Sequence, residues 1–146
     1  MHKMKSDIPM KRILQVRPED WISFLFPKLT KINITEMATN KVPKAESRMD
    51  NLTFVNNEFI LHIEPKGYLD KALPCRMLRY RSDTWEYTIS KDLGTPTIKQ
   101  GVIFFFQNHD NGMHQLTDEW EENDPTLDFS YKTIKIWEIE KEKIIN

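Results

Sequence analysis

The feature that most constrains this chain is a pair of strand-like runs set around two asparagines. "DNLTFV" (50–55) and "EFILHIE" (58–64) flank Asn56-Asn57. Asparagine tolerates positive φ, so this arrangement reads as a hairpin. Side chains two apart on a strand share a face, so Glu64 and Lys66 in "HIEPK" point the same way. The hairpin register decides what joins them. Centred on Asn57, it sets Asp50 opposite Glu64 and Leu52 opposite His62. If Asn56-Asn57 is instead a two-residue turn, Val55 pairs with Glu58 and Asp50 faces Ile63. The two carboxylates then lie on opposite faces, because a one-residue slip flips every side chain. A site holding both carboxylates therefore requires an odd-length loop or a bulge at residues 56–58.

The remaining segments suggest how this hairpin is covered. "PEDWISFLFPKL" reads as a short helix, with Pro18 in its first turn and Glu19 and Asp20 at its positive end. Trp21, Phe24 and Leu25 form the expected buried stripe, and Pro27 limits the length. Residues 30–47 read as a linker or irregular edge segment. "PCRMLRYRSDTWEYTISKDLG" reads as a second helix, with Pro74 in the first turn and Gly94 as the left-handed cap. Met77, Tyr80, Thr84 and Tyr87 fall on one face of it. "TIKQGVIFFFQ" has the continuous apolar run of a strand buried on both faces. Residues 107–126 read as a long polar loop, and "LDFSYKTIKIWEIE" as a last strand. The four tryptophans, Trp21, Trp85, Trp120 and Trp137, read as core or half-buried packing residues. A strand, a helix and a further strand in series imply a parallel pair with a right-handed crossover. The expected fold class is α/β, a mixed sheet with helices on its faces.

Composition narrows the function classes. At 146 residues the chain fits one domain, 1–146, with residues 1–17 as an N-terminal arm. The net charge of −1 advertises no polyanion binder, although a local basic patch is compatible with it. One cysteine, Cys75, excludes an internal disulfide and points to a reducing, cytoplasmic setting. No apolar run has the length of a membrane span, and the first residues lack the apolar core of a signal peptide, so no membrane association is expected. The end "EIEKEKIIN" has no clean stop, which fits either a whole small protein or the front of a longer one lacking its C-terminal region.

Asp50 and Glu64 on one face, with no fixed cation between them, are hard oxygen ligands suited to Mg²⁺, with the Pro65 carbonyl as a third oxygen. Lys66 can orient a water or stabilise charge at phosphorus. The plainer reading is a Glu64–Lys66 ion pair at a strand end. His62 shares the face, and a hydrogen-bonded structural histidine suits an oxygen site better than a nitrogen ligand does. Arg76 and Arg79, one helical turn apart with Arg81 close by, can meet phosphates, as can Lys99; a solvated helix face with an Asp83 partner is the rival reading. Gln100 is either a supporting polar residue or a satisfied buried amide. His109, Asp110 and His114 form a loose group that matches no zinc spacing. Glu119, Glu121, Glu122 and Asp124 read as a solvated acidic face.

Asp50, thirteen residues, then Glu64-Pro65-Lys66 resembles the PD-(D/E)xK nuclease signature. Further stretches, "SRMDNLTFVNNEFILHIEPKG", "LPCRMLRYR", "TIKQGVIFF" and "LDFSYKTIKIWEIE", resemble the recombination-promoting nuclease and transposase-like family of bacteria over residues 36–140. "ILHIE" followed by an Arg-Met-x-x-Tyr helix is the most specific part. The resemblance implies a restriction-endonuclease-like core and a metal-dependent DNA endonuclease of low sequence specificity. It casts Asp50 and Glu64 as ligands of Mg²⁺ or Mn²⁺, Lys66 as the catalytic lysine and Gln100 as a supporting residue. A homodimer would serve cleavage of both strands. Many family members carry glutamine at the position of Lys66, an apolar or aromatic residue at that of Pro65, and a longer chain. Pro65 cannot donate to a ladder and so requires an edge or a bulge. Two rival functions are a degenerate nuclease-fold module that binds DNA or a protein, and a small structural or interaction protein.

Overall fold

The computed structural model describes residues 18–37 and 52–139. Helix α1 spans Pro18–Leu25, with Glu19 and Asp20 in its first turn. Its buried stripe centres on Ile22, which is fully enclosed, with Phe24 and Leu25 partly buried beside it. Ile22 lies outside the stripe expected from the sequence, and the Trp21 side chain lies outside the described residues.

Strand β1 (Ile34–Glu36) is a short edge strand inside the segment expected to be irregular. Strands β2 (Leu52–Val55) and β3 (Phe59–Lys66) make the hairpin. Helix α2 (Leu73–Ser90) crosses over to β4 (Thr97–Phe104). After a 3₁₀ turn at Gln107–His109 come β5 (Gln115–Glu121), β6 (Asp124–Ser130) and β7 (Lys132–Lys135), then a 3₁₀ turn at Ile136–Glu138. The main sheet has the order β1-β2-β3-β4-β7, and β5-β6 form a separate two-stranded sheet. β1, β2 and β3 pair antiparallel, whereas β3, β4 and β7 run parallel. The α/β mixed sheet expected from the sequence is therefore present.

The turn of the hairpin fixes its register. Val55 pairs with Phe59 and Leu52 with His62, so the loop between is Asn56-Asn57-Glu58. Asn56 and Asn57 both take positive φ, 53° and 55°, the left-handed region that asparagine enters more easily than most residues. Asn56 also ties β1 to the hairpin: its Oδ1 accepts from the Asn33 N–H at 2.6 Å and its Nδ2 donates to the Lys31 carbonyl at 2.9 Å.

The sheet has an apolar cluster on each face. On the α2 side, Leu52, Ile60, Ile98, Val102 and Phe104 meet Leu73, Met77 and Tyr80 of the helix. On the α1 side, Val55, Leu61, Ile63, Ile103 and Ile134 meet Ile22. Gly101 lets β4 pass close beneath two of these side chains; a Cβ there would stand 3.2 Å from Ile63 Cδ1.

Four expectations need correction. The left-handed residue closing α2 is Asp92 (φ 60°), with Leu93 N–H donating to the Thr88 carbonyl and Asp92 N–H to that of Ile89. This is the double closure of a Schellman end, and Gly94 lies beyond it. The stretch 107–126 is not one long loop, because half of it forms β5 and the start of β6. β5 has only two apolar residues, Leu116 and Trp120, separated on one face by Asp118, so its alternation is weak; main-chain pairing makes it, with Asn123 (φ 63°) in the turn. Phe129, Leu116 and Leu127 pin this hairpin to the α2-side core, which such an isolated pair of strands needs. The expected last strand is accordingly split between β6 and β7. Trp120, expected to pack, is 77% exposed on β5. Among the described residues, no helix is long and apolar enough to cross a membrane.

Replacing Asn56 by alanine removes both side-chain bonds and raises the strain of the left-handed backbone. Urea unfolding of Asn56→Ala should show a loss of about 1–3 kcal/mol. Asn57→Gly should remain within about 0.5 kcal/mol of the parent.

Candidate active site

Strand alternation puts His62, Glu64 and Lys66 in one row on the α2 face of β3. The parallel register sets Gln100 of β4 directly beside His62. All four are buried, His62 at 1% and Lys66 at 4% exposure. Buried polar and charged groups are costly unless bonded, so their partners define the site.

Gln100 is held on both ends. Its Oε1 accepts from the Arg81 guanidinium at 3.0 Å, and its Nε2 donates to the Met77 carbonyl at 2.8 Å. The same amide nitrogen lies 3.2 Å from His62 Nδ1. A flipped amide would set its oxygen against the Met77 carbonyl, so Nε2 is the donor toward His62. His62 Nδ1 must then accept, and its Nε2–H donates to Glu64 Oε2 at 3.2 Å. A chain of hydrogen bonds thus runs Arg81–Gln100–His62–Glu64. The Tyr80 ring meets the imidazole edge-on at 5.3 Å and holds its plane.

Lys66 turns to a different acid. Its Nζ donates to Asp70 Oδ2 at 3.1 Å and to the Tyr68 hydroxyl at 3.2 Å. Arg76 Nε lies 2.8 Å from the same Asp70 oxygen. Burial alone would lower the Lys66 pKa, but the bonds to Tyr68 and Asp70 outweigh it and raise the ammonium above its ordinary value. Burial alone would raise Asp70, but the Lys66 bond, the Ala72 N–H and the two cations hold that carboxyl below its ordinary value.

The loop on which a shared site depends is the observed one, with three residues between β2 and β3. Asp50 itself lies outside the described residues. Glu64 and Lys66 share a face as expected, yet the ion pair they suggested is replaced by Lys66–Asp70. Pro65 lies opposite Ile103 of β4, and the described part of β2 ends short of it, opposite His62. Gln100 joins the site. Arg76 is engaged by Asp70 rather than Asp83, Arg79 is exposed on α2, and Lys99 projects to the opposite sheet face over the rings of Phe26 and Phe59. The three proposed phosphate contacts are therefore not gathered on one surface. Glu119, Glu121, Glu122 and Asp124 are exposed, as expected.

The loose histidine group resolves into a bonded one. His114 Nε2 contacts Asp110 Oδ1, and its Nδ1 lies 2.9 Å from the Tyr131 hydroxyl. Burial, then the charges of Asp110 and Asp70, push the Tyr131 hydroxyl pKa up. His109 instead meets the Phe106 ring edge-to-face. Sequence reasoning missed Asp70 and Tyr68. Asp70 did carry a signal: it stands four residues after Lys66 and two before Ala72, whose N–H its Oδ1 accepts at 3.0 Å.

The described part of the row offers a divalent cation one carboxylate. Glu64 has one oxygen bonded to His62 and takes no further hydrogen bond among the described residues. That leaves oxygen lone pairs of the hard type Mg²⁺ selects. Among the described residues no group of three or more His, Cys, Asp or Glu side chains is gathered to hold an ion. No protein-family model matches the chain, and no curated protein or solved structure matches it either.

Two variants test the paired charges and the relay. Asp70, depressed below its unfolded value near 3.8, contributes stability that is complete above that pH and lost as pH falls through the folded value. Unfolding followed from pH 5 downward should therefore show a shallower acid loss in Asp70→Asn than in the parent. His62→Phe strips Glu64 and Gln100 of a partner each and should cost about 2–4 kcal/mol in denaturant unfolding.

Proposed function

We propose that the chain is a metal-dependent nuclease of the PD-(D/E)xK type that hydrolyses DNA phosphodiesters with little sequence preference, on a restriction-endonuclease-like core. The observation that carries this reading is the hairpin register. It sets His62, Glu64 and Lys66 in one buried row along the carboxyl half of β3, with Gln100 of β4 beside His62. Open α/β sheets bind ligands outside the carboxyl ends of their strands, the direction in which this row runs.

Carried two residues beyond Leu52, the same register would bring Asp50 opposite Glu64. Asp50, Glu64 and the Pro65 carbonyl would then hold Mg²⁺ or Mn²⁺ through oxygen. The bound ion would supply a Lewis acid and a water of lowered pKa. The chain's own residues have separate tasks. His62 donates its Nε2–H to Glu64, which orients the carboxylate. Gln100 fixes the tautomer that makes this donation. Lys66, with its pKa raised, stays an ammonium throughout the neutral range. It is therefore a stabiliser of charge developing on phosphorus and leaving oxygen, not a proton acceptor. Asp70 and Tyr68 position it.

A second reading is favoured by one observation: the Lys66 ammonium is already neutralised by Asp70. On that reading the row is a stability device in a non-catalytic module that binds DNA or a protein.

A plasmid-nicking assay in Mg²⁺, Mn²⁺ or chelator separates the two. The nuclease predicts metal-dependent nicking, reduced about a hundredfold or more in Asp50→Ala, Glu64→Gln and Lys66→Met. Gln100→Leu should reduce it about 10–100-fold, as expected for a residue acting through a ligand. Absence of nicking by the parent protein, or nicking unchanged in these variants, contradicts the proposal.

A further inference from the structure

Strand β7 begins at Lys132, opposite Gly101, so the Thr97–Gln100 half of β4 has no strand beside it on that side among the described residues. A cleft of about 360 Å³ lies along this open edge. Arg81 lines it from the α2 side, Lys99 from the α1 side, and Ser130 and Lys132 from the chain entering β7. No aspartate or glutamate lines it. The Arg81 guanidinium bonds Gln100 Oε1 and lies over the Trp85 ring at 4.8 Å. Lys99 Nζ sits over the Phe26 and Phe59 rings at 5.3 and 5.1 Å. Among the described residues none of the three cations meets a carboxylate.

Three unneutralised cations around one cleft repel each other, and an anion placed between them relieves that repulsion. Ile98, Ile134 and Leu25 supply apolar walls, which exclude water and strengthen the attraction. A guanidinium fork, two ammonium-bearing residues and a serine lining one cleft suit a tetrahedral oxyanion. The volume exceeds what an inorganic anion fills, and the apolar wall offers surface for a sugar or base.

We propose that this edge cleft is a binding site for a phosphate group carried on a nucleotide or a nucleic-acid strand, held by Arg81, Lys99, Lys132 and Ser130. The site stands on its own cations and does not depend on catalysis by the Glu64 row, which it touches only through Gln100.

The test is fluorescence anisotropy of the full chain with a labelled single-stranded oligonucleotide in chelator. Inorganic phosphate and a nucleoside 5′-monophosphate serve as competitors. The parent should bind, and both competitors should displace the strand. Lys99→Gln with Lys132→Gln, two exposed positions, should weaken binding at least tenfold at low salt. It should also reduce the log–log salt slope by about 1.4, the share of two contacts on a single strand. Arg81→Gln should weaken binding as well, with circular dichroism confirming its fold. A monophosphate that competes as tightly as the strand identifies a single nucleotide as the ligand; a strand far tighter than both competitors identifies the backbone. Glu64→Gln should leave binding unchanged even where nicking is lost, so failure of catalysis and failure of the cleft are read separately. Affinity unchanged in the double lysine variant, or no binding of any phosphate probe by the parent, overturns the proposal.

Discussion

Between Val55 and Phe59 the chain reverses through three residues, and the two asparagines among them hold positive φ. This odd-length turn sets which side of the sheet every later side chain of β3 faces. With it, Ile60, His62, Glu64 and Lys66 look toward α2, while Leu61 and Ile63 look toward α1. One residue fewer in the turn would exchange those two sets. The apolar clusters on both faces would then lose their strand contribution, and Glu64 would meet the α1 side. Asn56 adds a second constraint, because its side chain holds residues 31–33 and so places β1.

The row that results is electrostatically demanding. Glu64 and Lys66 are neighbours on one buried face, yet each is satisfied separately. Glu64 draws on the neutral imidazole of His62, whose tautomer is set by Gln100. Lys66 draws on Asp70, shared with Arg76. The separation keeps the Glu64 carboxylate from being consumed by an adjacent ammonium, which leaves it available as a ligand. The raised pKa of Lys66 follows from the same arrangement. Positive charge appears in a second place, at the open edge of β4, where Arg81 carries the hydrogen-bond chain outward from the row to the cleft.

Much of this was legible because it rests on local chemistry. The asparagine pair between apolar runs marked the hairpin, and the demand for an odd loop followed from strand alternation alone. Pro74 and the Met77–Tyr80–Thr84 face marked α2, and the apolar run of β4 marked a strand covered on both sides. What escaped was set by main-chain pairing and by long side chains. β5 carries two apolar residues, Leu116 and Trp120, among five polar ones, too few for its pairing with β6 to stand out as a period. Asp92 closes α2 in a backbone state usually given to glycine, and Gly94 two residues on was the stronger signal. The partner of Lys66 lay four residues ahead in an irregular segment, where spacing rules for strands do not reach. The second carboxylate, Asp50, lies outside the described residues, so the shared site rests on the register that leads up to it.

The central claim is that this register gives Asp50 and Glu64 a divalent ion to share. Calorimetric titration of Mn²⁺ into the protein without DNA tests it most directly, with Asp50→Ala and Glu64→Gln measured alongside. The account predicts one ion bound per chain in the parent and loss of that binding in each variant. Binding that persists equally in both variants, or none in the parent, would contradict it.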